Sequence, residues 1–347
     1  MGGQNIMKQV RQSIAVVCMI VLMGTLLLAC SSKNEPQVSN IKGNNTSTSN
    51  TTAEASSSPE ATSDTATKTG GTHSYTDYRG HTVEIPDNPQ KIVFFGETYG
   101  DLLTLGVQAI GSAKVLYENQ IYEDKVQGVE DVGLPISLEK TLDLQPDLII
   151  YSVTDEADFE ALSKIAPTVI FDTFAPLKER MLELGTILGK TKEAESWLAQ
   201  YKVKEAAMWE QLKASGMKPG ETASVFTYYP GDRLFVMATT GLSQVLYEEN
   251  GFKPTPLIQK VLDEKKGFEE ISMEMLKEYA GDRIFILNPV ADEAKKSTEQ
   301  LINSQLWKNL PAVKNGYVYF QDIEQTSADA STREWLLQQI PNLISEK

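Results

Sequence analysis

The chain has 347 residues, with 32 Lys and Arg against 47 Asp and Glu and a formal charge of −15. So acidic a body argues against nucleic acid as a partner and against electrostatic adhesion to anionic lipid. Only two histidines and two cysteines occur, which disfavours metal sites built from His or Cys and nucleophiles that need a histidine base.

The first 29 residues carry Lys8 and Arg11, no acid, and an apolar run from Ile14 to Ala29. A basic start followed by an apolar core is an export signal. The ending Leu27-Leu28-Ala29-Cys30 resembles the bacterial lipobox, which implies cleavage before Cys30 and a diacylated Cys30 at the new N-terminus. Two acyl chains are enough for stable anchoring, which would hold the protein on the extracytoplasmic face of the cell membrane. The alternative, an uncleaved anchor, rests on a run of 16 residues, short of the roughly 20 that a span needs. Cleavage removes two bases and leaves a mature charge of −17. With Cys18 removed and Cys30 lipidated, the mature body has no free thiol or disulfide.

Between Ser31 and Thr72, 18 of 42 residues are Ser or Thr. Such a segment cannot bury enough apolar surface to fold, and as a coil it spans roughly 35–40 Å. The expected organisation is therefore a signal peptide over 1–29, a lipidated Cys and disordered tether over 30–72, an N-terminal α/β lobe over 73–190, a long connecting helix over 191–215, and a C-terminal α/β lobe over 216–347.

Folded sequence opens with two alternating runs flanking Arg79-Gly80, between Ser74 and Pro86, which read as a β-hairpin. Strands are expected at Lys91–Phe95, Ala109–Ala113, Asp147–Ser152 and Thr168–Phe171, with helical patterns between them. Thr191 to Ser215 contains no Gly or Pro, and Ala194, Trp197, Leu198, Tyr201, Met208, Trp209 and Leu212 recur at helical spacing. This is a helix of roughly 37 Å, read here as a strut between two lobes. Alternation then resumes, with strands at Ala223–Thr227, Arg233–Met237, Arg283–Leu287 and Tyr317–Phe320. A helix is expected from Leu242 to Asn250 and a last one from about Ser331 to Gln339, carrying Trp335 and Leu336 on one face. Short apolar strands alternating with helices predict a mainly parallel sheet covered on both faces.

One phrase occurs on each side of the strut. Ser137-Leu138-Glu139 precedes Asp147 and the strand LIIYS, and Ser272-Met273-Glu274 precedes Asp282 and the strand RIFIL. The interval from Ser-x-Glu to Asp is the same in both copies, which argues for two similar lobes.

No G-x-S-x-G elbow occurs. Gly185 to Thr191 looks like a phosphate loop, but it is one residue short and follows helical sequence. Gly189 reads instead as a helix stop. Ligands of open α/β sheets bind outside the carboxyl ends of the strands. Those ends carry Thr98, Tyr99, Tyr117, Ser152, Tyr228, Tyr229 and Arg233, with Arg180 nearby and Trp335 on the last helix, and these are the candidate substrate contacts. For each Tyr, partial burial with the hydroxyl in water is the competing reading. The set suits a large, oxygen-rich ligand better than a bare metal ion.

The segments YTDYRGHTVEIPDNPQKIVFF, LEKTLDLQPDLII, KIAPTV, EEISMEMLKEYAGDRIFIL and LWKNLPAVKNGYVYFQD resemble the ferric-siderophore and vitamin B12 class of ABC-transporter solute-binding proteins. The resemblance covers about residues 74 to 345. It implies two Rossmann-like lobes bridged by a single long α-helix, with the ligand cleft between them. It also implies a ferric siderophore as ligand, a permease with its ATPase as partner, and Glu139 and Glu274 as the permease-docking residues. An acid after a Ser cap also favours the helix dipole, by roughly 0.3–1 kcal/mol. The expected protein is a monomer with no catalytic residue, no cofactor and no metal ligands of its own, since siderophore iron arrives already wrapped in oxygen. A complex of about 40 non-hydrogen atoms at roughly 0.3 kcal/mol each reaches nanomolar affinity. Few bases are visible, which favours hydroxamate or carboxylate siderophores over catecholates. Cobalamin and haem binding within the same fold, and a surface hydrolase acting on siderophores, are the competing functions.

Overall fold

The computed structural model describes residues 71–345, so the export signal, Cys30 and nearly all of the tether lie outside it. The described chain opens on an antiparallel hairpin, β1 (Thr72–Thr76) and β2 (Thr82–Pro86). Its turn is organised by Asp77, whose carboxylate accepts the backbone N–H groups of Arg79 and His81. The same carboxylate accepts from Ile170 N and so ties the hairpin to the first lobe.

That lobe is built on β3 (Ile92–Phe95), β4 (Gly111–Ser112), β5 (Glu130–Asp131), β6 (Leu148–Tyr151) and β7 (Thr168–Ile170), in the order β5-β4-β3-β6-β7. All pairings are parallel. The segments IVFF, LIIY and TVI are buried at every position, as a sheet covered on both faces requires.

The second lobe contains β8 (Thr222–Tyr229), β9 (Arg233–Met237), β10 (Lys253–Pro254), β11 (Phe268–Ile271), β12 (Arg283–Asn288) and β13 (Val318–Asp322). Its order, β11-β9-β8-β12-β13, follows the same path as the first lobe: start in the centre, step twice to one side, then twice to the other. The expectation of parallel pairing fails on one side. β9 runs antiparallel to both β8 and β11, because Pro230-Gly231-Asp232 turns the chain straight back. Left-handed backbone at Gly231 and Asp232 makes so short a reversal possible.

The repeated aspartates explain why the phrase recurs. Asp147 sits just before β6 and accepts from the N–H groups of Gln90 and Lys91, at 2.8 and 2.9 Å, where β3 begins. Asp282 sits just before β12 and accepts from Thr222 N at 2.9 Å, where β8 begins. In each lobe the aspartate staples the start of the central strand to its neighbour.

The long helix runs from Thr191 to Ala214, roughly 36 Å, and buries Ala194, Tyr201, Met208, Trp209 and Leu212 along one face. Gly189 ends the preceding helix, Leu177–Ile187, with a φ of +66°. The phosphate-loop look-alike is thus a helix stop followed by a helix start. The helix expected over Leu242–Asn250 is shorter, Leu242–Leu246, and the last one is longer, Ala330–Ser345.

Three apolar clusters fill the body. Two cover the outer faces of the sheets, one per lobe. The third runs unbroken from Phe94 and Ile150 of the first lobe, through Tyr201, Met208 and Trp209 of the long helix, to Val225, Phe285 and Leu287 of the second. The last helix, expected as part of the second lobe, returns to the first. Ser331 Oγ donates to Gly100 O at 2.8 Å, and Ala330 N donates to Asp101 Oδ1 at 2.7 Å. A shared core and a returning helix join the lobes by packing as well as by one strut.

Candidate functional site

Both lobes contribute to a cavity of about 220 Å³. From the first lobe come Glu97 and Thr98, just after β3, and Thr173 and Phe174, just after β7. These are strand carboxyl ends, where ligands of open α/β sheets bind. Phe174 is 65% exposed, an aromatic face held in water at the rim.

The second lobe contributes a sheet face. Alternation along a strand sends neighbouring side chains to opposite sides. Val225 faces the shared core, Phe226 and Tyr228 the outer cluster, and Tyr229 the cleft. Met237 of β9 and Leu287 of β12 line the same side. Gln244, from the helix Leu242–Leu246, is held in place from behind. Arg333 Nη1 donates to its Oε1 at 2.6 Å, and its own Nε2 donates to Thr239 O. Arg333 is paired in turn with Glu248.

Ile323, Thr326, Ser327 and Ala328 form the remaining wall, on the segment that carries the chain from β13 back to the first lobe. Two glycines let it pass. A Cβ on Gly241 would overlap Thr326 O, and one on Gly100 would overlap the Asp329 carboxylate. Beneath the segment lies Arg180, fully buried, with Nε 2.6 Å from Asp101 Oδ2. Its Nη2 donates to Ala328 O at 2.7 Å and its Nη1 to Ala175 O at 3.0 Å. Asp329 is also fully buried. Desolvation, then the nearby Asp101 charge, push its carboxyl up to about 6, against hydrogen bonds from Thr332 and Ser327 that lower it.

Of the residues selected from sequence, Thr98 and Tyr229 lie in the cavity wall. The others are placed elsewhere. Tyr99 is buried, its hydroxyl accepting from Ala109 N at 3.1 Å, and burial raises its pKa to about 12. Tyr117 is buried beside it, ring centroids 5.6 Å apart. Tyr228 faces the outer cluster, as parity dictates. Arg180 is an interior clamp rather than a base on the cleft surface. Ser152 lies behind Gly96 at the end of β6, and Trp335 packs partly buried against the shared core. Arg233 borders a second hollow at the end of the cleft-side sheet face: it pairs across the strands with Tyr229, lies 4.9 Å over the Phe235 ring, and its Nε donates to Glu270 at 2.9 Å.

Glu274 borders that same hollow. Both Glu139 and Glu274 are exposed, each in the first turn after a serine N-cap. A hydrogen bond from Ser272, then one from the backbone, hold the Glu274 carboxyl below its ordinary range. Neither glutamate lines the interlobe cavity.

Sequence reasoning missed Met237, Gln244 and Leu287. Phe174 is within reach of the strand-end rule, in the end from Thr173 to Pro176, but is not among the selected contacts. Met237 and Leu287 are out of its reach, because the rule looks to loops and these project from a sheet face.

Comparison with known proteins agrees with this architecture. The family model described as periplasmic binding protein matches residues 93–323. The chain is 34% identical over 246 residues to the iron(3+)-hydroxamate-binding protein FhuD of Bacillus subtilis (strain 168), covering 69% of this chain and 76% of that one. It is 30% identical over 320 residues to the iron(3+)-hydroxamate-binding protein YxeB of the same organism, covering 90% of each. Among solved structures, Staphylococcus aureus SirA complexed with staphyloferrin B superposes with a TM-score of 0.68 at 30% identity, over 78% of this chain and 97% of that one. With two like-ordered sheets, one long connecting helix and an interlobe cavity, the chain belongs to the periplasmic binding protein family, among the iron-complex solute-binding proteins of ABC importers that its sequence resembles.

Proposed function

We propose that the protein captures a ferric siderophore of hydroxamate or carboxylate type outside the cytoplasm and hands it to the permease and ATPase of an ABC importer. The observation that carries this reading is the interlobe cavity. Its walls offer neutral hydroxyls from Thr98, Thr173, Thr326 and Ser327 and apolar surface from Phe174, Met237 and Leu287. Among the described residues no group of three or more His, Cys, Asp and Glu stands ready to ligate a metal. A site of this kind grips the organic shell of a complex. At about 220 Å³ the cavity is smaller than the roughly 300–1,000 Å³ usual for drug-sized ligands. It therefore seats one side of the complex, and the exposed ring of Phe174 meets the part that projects.

The reading is of a binding protein without catalysis, which the solute-binding family and fold support. Glu139 and Glu274 are the residues proposed to meet the permease, supported by their exposure and their equivalent places in the two lobes. Cys30 is proposed as the lipid anchor, supported by the Leu-x-small-Cys ending of the export signal. Fluorescence titration of the purified protein with ferric hydroxamates, ferric citrate, haem and cobalamin tests the ligand class. Saturable submicromolar binding of a ferric siderophore is expected, and native mass spectrometry should recover the complex chemically unchanged. Tight binding of cobalamin or haem alone, or recovery of a cleaved siderophore, would overturn the proposal.

A further inference from the structure

The polar side chains that line the interlobe cavity are hydroxyls, the Glu97 carboxyl and one amide, that of Gln244, which alone among them carries an N–H group. A hydroxyl rotates and can donate or accept. An amide presents a donor or an acceptor according to which way its plane is turned. The sense in which Gln244 is held therefore sets part of the cavity's chemistry.

Its neighbours allow one sense only. Arg333 Nη1 lies 2.6 Å from one end of the amide, and a guanidinium only donates, so that end is the oxygen, Oε1. The backbone oxygen of Thr239 only accepts, so the other end is Nε2, which donates to it. Nε2 has a second hydrogen, which is left for whatever fills the cavity. Arg333 is itself buried, in the first turn of the last helix, and is not part of the cavity wall. Its Nη2 is paired with Glu248, and its Nε donates to the Tyr201 hydroxyl of the long helix at 3.4 Å. That hydroxyl donates in turn to Glu248 at 3.0 Å. A cation on Oε1 also polarises the amide, which makes the remaining N–H a stronger donor.

Resting on the function proposed above, we infer that Gln244 is a fixed hydrogen-bond donor to an oxygen of the bound ferric complex, and that Arg333, which does not touch the ligand, is the positioning residue that holds the amide in its donating sense. A donor held in place before binding loses little freedom when the complex arrives. Without the guanidinium the amide is free to turn its oxygen to the cavity, where it would oppose the ligand's own oxygens, acceptor against acceptor.

The test titrates the full chain, in detergent, with a neutral ferric trihydroxamate. Gln244→Met keeps the side chain's length and removes the donor, and it should weaken binding about tenfold. Arg333→Met alone would leave Glu248 as an unpaired buried charge, so Arg333 is replaced together with its partner. The pair Arg333→Met with Glu248→Gln removes both charges, and it should weaken binding about fivefold when Gln244 is present. Added to Gln244→Met, the same pair should weaken binding less than twofold further, because the amide it positions is gone. Circular dichroism at the titration temperature shows that each variant is folded. An equal loss from the pair in both backgrounds would show that Arg333 only supports the fold, and would overturn the positioning role. Unchanged affinity in Gln244→Met would overturn the donor. Either result leaves siderophore capture standing. Failure of the wild type to bind any ferric siderophore, with binding of cobalamin or haem, would overturn the function itself and the inference with it.

Discussion

Arg180 separates two accounts of the same side chain, since the residue pattern marks it as a base for the ligand and the fold buries it as a clamp. Its guanidinium holds Asp101 at 2.6 Å and the backbone oxygens of Ala328 and Ala175 at 2.7 and 3.0 Å. Replacing it by Met keeps most of the volume and removes the charge. Asp101 is then left fully buried, close to the second buried carboxyl, Asp329. Breaking a buried ion pair from one side costs about 3–5 kcal/mol. Three backbone acceptors, those of Thr173, Ala175 and Ala328, also lose a donor. In a body of this size a loss of that order lowers the melting temperature by roughly 10 °C. The double variant Arg180→Met, Asp101→Asn removes both charges and should recover about half of the loss or more, since an uncompensated buried charge is the largest cost. Urea unfolding of wild type, both single variants and the double variant gives the coupling energy directly. Ligand affinity measured well below the unfolding transition should fall only severalfold, through looser placement of Ala328 and Thr173 in the cavity wall. If Arg180→Met kept its stability and lost binding a hundredfold or more, Arg180 would be a ligand contact and the clamp account would be wrong.

Three further outcomes follow from the geometry. Tyr229→Ala should weaken siderophore binding about tenfold, because Tyr229 lines the cavity, while Tyr228→Phe should leave affinity unchanged, because Tyr228 faces the outer cluster; equal effects in a titration would show that strand parity does not govern the site. Glu139→Ala with Glu274→Ala should leave affinity in vitro within about twofold, since neither lines the cavity, and should sharply reduce uptake in cells; each exposed pair is worth roughly 0–1 kcal/mol, but two at fixed separation reinforce each other. Normal transport by the double variant would leave only the helix-end role. Asp329 has a folded pKa of about 6 against an ordinary 3.8, so its contribution to stability is fully present below pH 3.8 and is lost as the pH rises through 6. Asp329→Asn stays neutral, and its stability relative to wild type should rise by up to about 3 kcal/mol between pH 4 and pH 7.5; a relative stability independent of pH in denaturant melts would refute the assignment.

Much of the architecture follows from local chemistry written in the chain. An uninterrupted run of helix formers between Gly189 and Gly216 makes one long helix whatever surrounds it. Fully apolar segments such as IVFF and LIIY must be central strands, because no other placement hides every side chain. The paired Ser-x-Glu and Asp phrases mark two like lobes, since each aspartate staples a central strand by the same backbone contacts. The site is another matter. Tyr228 and Tyr229 are the same residue type one position apart, and only the sheet's orientation decides which one meets the cleft. Arg180 reads as an available base until Asp101, 79 residues away in sequence, is folded against it. β9 lies antiparallel because of a three-residue turn, and that puts Met237 on a cavity-lining face that a rule about strand ends does not reach. The returning segment from Ile323 to Ala328 closes the cavity because Gly100 and Gly241 leave room for it. Elements depend on neighbours a few residues away and can be read along the chain. A cleft depends on which faces meet across hundreds of residues, and that is decided only when the two lobes share a core.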